Sequence, residues 1–194
     1  MLNRNQGLEL LNQNIQEDNL IKHCLATEAV MRRLAHEFGA NQEIWSLTGL
    51  LHDLDYSLTQ EEPSRHGIQS ASMLQDKLPP EAVQAIKRHA AELNQAESPS
   101  TTLDYALRCS ETVTGLIMAA ALVRPDRLAG MTAKSLKKKM KDKAFAAAVN
   151  RDLIKEHEKL GLDQNQFLSI AIEAMQEVAS DIGLDHSSRL SWDE

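Results

Sequence analysis

His52 and Asp53 stand side by side in Gly49-Leu50-Leu51-His52-Asp53-Leu54-Asp55-Tyr56, a stretch entered by Ile44, Leu47, Leu51 and Leu54 at steps of three and four. That spacing predicts a helix with one buried stripe, and it puts an imidazole and a carboxylate at the stripe's edge, beside the core. An unpaired charge withdrawn from water costs roughly several kcal/mol, so a positive partner is expected between them, and a metal ion is the simplest one. The same periodic reading turns further donors inward. His23 flanks the stripe Leu20, Cys24, Thr27, Met31, Leu34 and Phe38; His89 falls among Ala82, Ile86 and Leu93; His66 opens a helix after a polar loop. Glu111 lines up with Leu107, Thr114, Met118 and Ala121. The remaining histidines read differently: His36 and His157 have charged neighbours, and His186 lies in a polar tail. Four of seven histidines with two acids make a donor set rather than packing. Imidazole and carboxylate ligands suit Mn, Fe, Co, Ni, Zn or Mg, with no thiolate to select zinc or copper(I).

The elements that must bring these donors together are all helical. Apolar periodicity and stop signals predict helices at about 8–17, 20–38, 41–54, 80–92, 102–123, 133–141, 151–160 and 164–182. Asp18 or Asn19 would cap the second of these. A loop from Ser57 to Arg65 precedes a helix capped by Ser64, Pro80 suits the first turn of its helix, and Gly39, Pro125 and Gly161 end theirs. At 194 residues, with 42% hydrophobic, 25% charged and 4% aromatic residues, the chain is expected to be one all-α bundle over 1–183. Its metal-site core would lie at about 20–125 with a helical extension at 126–183, and 184–194 would be a flexible tail. A net charge of −7 argues against general nucleic-acid binding. No apolar run approaches the ~18 residues of a membrane span. Cys24 and Cys109 are expected as reduced thiols in a cytoplasmic protein. The inward stripe of the last helix, Phe167, Ile170, Ala171, Ala174, Met175 and Val178, reads as core packing, with a dimer seam as the alternative, so monomer and homodimer both stay open.

The order His23, His52-Asp53, His66, His89 and an acid at 111 resembles the HD-domain superfamily of metal-dependent phosphohydrolases. The text around it, Gly49 to Tyr56, His66-Gly67, Thr114-Gly115-Leu116-Ile117, Ala121 to Pro125, Ser135 to Lys139 and Lys141 to Ala146, resembles a small, HDIG-like bacterial and archaeal branch. The resemblance spans about residues 20–183. It implies an HD-type helical bundle in which His23, His52, Asp53 and the acid near 111 hold one metal. Asp53 would bridge to a second ion held by His66 and His89. Glu111 departs from the aspartate usual in that family, and its extra methylene displaces the carboxylate by about 1.5 Å. Asp104, two turns earlier, is the alternative acid, although an acid at a helix start more often answers the dipole.

The implied chemistry is hydrolysis of a small phosphate ester, with a nucleotide as the expected substrate. A divalent ion with an open position lowers the pKa of bound water toward ~7, and a second ion ~3.5–4 Å away clamps the phosphoryl group. Asp53, or Asp55 beside it, would accept the proton. The substrate's charge would be met from the basic island Lys134, Lys137, Lys138, Lys139, Lys141, Lys143 and Arg151, from Arg124 at the end of the Glu111 helix, or from Arg65 and Arg88, which precede His66 and His89. Lys138, Arg124, Arg65 and Arg88 are the specific candidates. Two rival readings share the ligand order: a di-iron oxygenase on the same fold, and a non-catalytic nucleotide-binding regulatory domain.

Overall fold

The computed structural model describes residues 1–186 of the chain, and every regular element among them is helical. The α-helices are α1 (Arg4–Asn14), α2 (Asp18–Glu37), α3 (Gln42–Leu51), α4 (Tyr56–Thr59), α5 (Ile68–Leu74), α6 (Pro80–Arg88), α7 (Ala91–Asn94), α8 (Thr102–Leu122), α9 (Ala133–Lys141), α10 (Arg151–Ile154) and α11 (Gln164–Glu177). Two 3-10 turns, Pro63–Arg65 and Lys155–Leu160, complete the set. Local chemistry starts several of them. Asn3 and Gln6 form a capping box on α1, Asn41 accepts from the amides of Glu43 and Ile44 at the head of α3, and Thr101 and Asp104 do the same service reciprocally on α8. Asp104 is thus committed to a helix start, with further hydrogen bonds from Arg88 and the amide of Ser100.

Helices α2, α3 and α8 make the centre, with α6 against α3 and α8, and α11 against α2, α8 and α9. One continuous cluster of buried side chains runs from Leu11 to Leu184. Gly49 sets the closest approach: a Cβ there would lie 2.9 Å from the Thr27 carbonyl oxygen and 2.9 Å from Met31 Cγ. A hydrogen at this position lets α3 press onto α2, bringing the end that carries His52 beside His23.

Some expectations change. Ser64 does not cap the helix after His66; it lies inside the 3-10 turn, and α5 begins at Ile68 behind Gly67, whose φ is 76°. There a Cβ would meet the Ile86 carbonyl at 2.9 Å and the His89 ring at 3.1 Å, so the left-handed glycine is what packs this turn onto α6. The expected 80–92 helix stops at Arg88 and restarts at Ala91. The Asn94 amide there donates to the carbonyls of Lys87 and His66, and the shift in phase leaves Leu93 54% exposed rather than inward. His157 is buried, its Nδ1 on the Leu162 carbonyl and its ring stacked on Phe167, because the 3-10 period of three puts Ile154, His157 and Leu160 on one buried side. Leu184 is buried and bonded to Ala179 and Leu128, so the ordered packing passes the point where a tail was expected. The rest of that tail, 187–194, lies outside the described residues. Among the described residues no helix is long and apolar enough to cross a membrane.

Candidate metal centre

His23 comes from the first turns of α2, His52 and Asp53 from the end of α3, His66 from the 3-10 turn before α5, and His89 from the end of α6. They converge on Asp53. Its Oδ1 is 3.4 Å from His52 Nε2, 3.4 Å from His66 Nε2 and 3.5 Å from His89 Nε2, and its Oδ2 is 3.7 Å from His23 Nε2. The donor atoms form two groups that share this carboxylate, His23–His52–Asp53 and Asp53–His66–His89. His52, Asp53 and His89 are buried, and His23 and His66 partly exposed.

The opposite edges of the rings decide what the converging nitrogens carry. His52 Nδ1 lies 2.8 Å from the Gly49 carbonyl and His89 Nδ1 2.6 Å from the Ile86 carbonyl, and a carbonyl only accepts. His66 Nδ1 lies 2.8 Å from Asp55 Oδ1. Thr114 donates its hydroxyl to the Glu111 carbonyl at 2.7 Å, so its oxygen is free to accept from His23 Nδ1 at 3.3 Å. In the neutral ring each Nδ1 is therefore the protonated nitrogen, as assigned from the network, and each Nε2 presents a lone pair. Yet His23 Nε2 faces His52 Nε2 at 3.3 Å, and His66 Nε2 faces His89 Nε2 at 3.2 Å. Two acceptors at that separation repel unless a cation or a proton lies between them. A divalent ion satisfies both pairs and the carboxylate together, so the residues present fit a metal, with the far-side hydrogen bonds that orient such ligands already in place.

Without an ion the charges show the same demand. Burial foremost, against the pull of Asp53, drives His52 down to about 3. Burial also opposes charge on His66, but its hydrogen bonds to Asp53 and Asp55 outweigh it and raise the group to about 10. Asp53 is likewise penalised by burial and nevertheless held well below the usual carboxylate range by the surrounding histidines.

The family model for the HD domain matches residues 20–143. The chain belongs to the HD-domain family. No curated protein and no solved structure matches it. The HD match covers every convergent histidine and Asp53, while the helices from α10 onward lie beyond it.

Not all the residues singled out in the sequence meet at this HD centre. Glu111 joins neither donor group. Its carboxylate accepts from the Thr112 hydroxyl at 2.5 Å and lines, with His23, a cavity of about 310 Å³ walled by Val149 and Asn150. Burial pushes its acidity down, with His23 and Thr112 offsetting part of that. Asp55 is fully buried, with Oδ1 on His66 and Oδ2 taking the Ser70 amide at 2.8 Å, so its geometry is that of a holder of His66. The proposed phosphate-binding cations have local partners. Arg65 bonds Glu62 and Gln69; Arg88 bonds Glu97, Asp104 and Ser100; Arg124 holds the carbonyls of Arg127 and Ala129. Lys138 is exposed on α9. None of the four lines either cavity that reaches the histidines, the one at His23 or the roughly 530 Å³ one where Tyr56 and Leu93 flank His66.

One residue near the centre was not legible as such. Arg108 is 1% exposed; it donates to the His89 carbonyl at 2.9 Å and pairs with Glu92 and Glu156. The signal that would have found it is a cation at a core position of α8 whose nearby acids lie on other elements.

Proposed function

We propose that this HD-domain protein is a metal-dependent phosphohydrolase of the HDIG-like branch, cleaving a small phosphate ester, with nucleotides the favoured class. The carrying observation is the set of four imidazoles whose lone pairs face one buried carboxylate, between two cavities that open to solvent at His23 and at His66. When bound, a divalent ion supplies an acidified water and positive charge beside the phosphoryl group. His23, His52 and Asp53 hold one ion, and Asp53, His66 and His89 a second. Glu111, which lines the same cavity as His23, would be a further ligand of the first ion. Asp53 Oδ2 is the less crowded oxygen of its carboxylate, and it is our candidate proton acceptor. Asp55 fixes the tautomer and tilt of His66 rather than moving a proton. The buried, unpaired Cys24 and Cys109 suit a cytoplasmic setting.

The test is elemental analysis of protein purified without chelator, followed by a broad panel of phosphate esters assayed with the metal found. Phosphate release that disappears in Asp53→Ala and with chelator supports the reading. Bound metal without release of phosphate from any ester, or iron with oxygen uptake on adding substrates, overturns it.

A further inference from the structure

Beyond the metal centre lies a cavity of about 580 Å³ between the end of α9, the segment leading to α10, and α10 itself. Its charge is one-sided: Lys137, Lys141, Lys143, Arg151 and Lys155 line it, against the single acid Asp152. In a chain of net charge −7 this is a local reversal of sign. Asp152 is taken by Lys155 at 2.7 Å, and Lys137 donates to the neutral Asn165. Lys141 and Lys143 are exposed and make no ion pair among the described residues.

The cavity is also built rather than frayed. Arg151 turns its guanidinium onto the carbonyls of Ala146 and Val149 at 2.6 and 2.7 Å, and onto those of Phe145 and Asp142. Lys139 sits over the Phe145 ring at 4.4 Å. These contacts hold the 142–149 segment in place, and Val149 and Asn150 of that region wall both this cavity and the one that opens at His23. An anion reaching from the metal centre past Val149 therefore enters a fixed basic surface.

We propose that this cavity binds a second phosphate of the substrate, so that the preferred substrate carries two phosphate groups, one at the centre and one against Lys141 and Lys143. The inference rests on the phosphohydrolase reading and adds a substrate class to it. Basic side chains that outnumber the one acid among them repel one another, and an anion relieves that repulsion through hydrogen bonds assisted by charge. Their contribution is screened as salt rises, over a Debye length that falls to about 8 Å at 0.15 M.

The probes are a nucleoside 5′-monophosphate, the 5′-diphosphate and the 3′,5′-bisphosphate of the same nucleoside. Each is titrated by calorimetry into full-length protein carrying its metal, at 50 and 300 mM salt. The proposal expects one of the two doubly phosphorylated probes to bind about tenfold or more tightly than the monophosphate, with the advantage shrinking at high salt. In Lys141→Ala/Lys143→Ala that advantage falls to less than about threefold while monophosphate binding is unchanged; Lys141→Arg/Lys143→Arg retains it. Circular dichroism checks that each variant is folded. Equal affinity for all three probes, or an advantage that survives the double alanine variant, overturns the proposal even if phosphate esters are hydrolysed. A protein that releases phosphate from no ester of the broad panel loses the phosphohydrolase reading, while the binding comparison still decides the cavity.

Discussion

Asp55→Asn tests how the centre is held together. Asp55 offers an oxygen to each of two donors, His66 Nδ1 at 2.8 Å and the Ser70 amide at 2.8 Å. Asparagine has nearly the same volume but only one oxygen, so one donor must face an NH₂ group. The backbone amide of Ser70 cannot change, whereas an imidazole can shift its proton. The asparagine oxygen then stays with Ser70, His66 Nδ1 becomes the acceptor, and His66 Nε2 takes the hydrogen and loses the lone pair it turns toward His89 and Asp53. A hydrogen bond to a charged group is worth about 1.5–3 kcal/mol, which corresponds to roughly 10–100-fold in affinity, in line with the effect of removing the partner behind a metal-ligating histidine. The loss should fall on the Asp53–His66–His89 group and spare His23–His52–Asp53. Titration with manganese, read by calorimetry, is expected to show one strong site kept and one weakened, and the imidazole nitrogen shifts of His66 should report the exchanged tautomer. Two unweakened sites with an unchanged His66 tautomer would refute the assignment of Asp55 and the reasoning from ring edges to lone pairs.

Other outcomes follow from the packing. Gly49→Ala should lower stability by about 1–3 kcal/mol despite alanine's better helix propensity, because its methyl meets the fixed Thr27 carbonyl; a raised melting temperature would show that α2 and α3 can separate freely. Arg108→Ala strands Glu156 and the His89 carbonyl, and denaturant unfolding should register a loss of about 3 kcal/mol, the low end for breaking a buried pair since Glu92 remains well exposed. Divalent metal at 100 times its dissociation constant should stabilise the protein by about 2.7 kcal/mol, a rise of about 5–10 °C in a thermal scan, and chelator should reverse it; no shift with any of the candidate ions would count against the centre.

The centre was legible because its donors interrupt apolar stripes whose phase survives folding. His23, His52 and His89 lie on or beside faces that do become buried, and Gly49 marks the approach that unites two of them. What stayed hidden depends on changes of period. The break after Arg88 turned Leu93 outward, and the 3-10 turn at Lys155–Leu160 made a core residue of His157 despite its charged neighbours. Nor does a sequence disclose which local partner captures a cation: Arg65, Arg88 and Arg124 precede or follow the right residues, but side chains and carbonyls close at hand hold them. Glu111 is the intermediate case, on the expected face and in the cavity with His23 but in neither donor group.

The link from Arg108 to Glu156 reaches past residue 143, where the family match ends. Anyone trimming the gene to that border for expression would amputate one arm of the clasp behind His89 and strip away the Ala148–Leu153 side of the entrance at His23. A minimal fragment drawn from family boundaries would thus keep all four histidines and still be a poor stand-in for the whole, because part of the cavity wall at His23 is contributed by residues the boundary leaves behind.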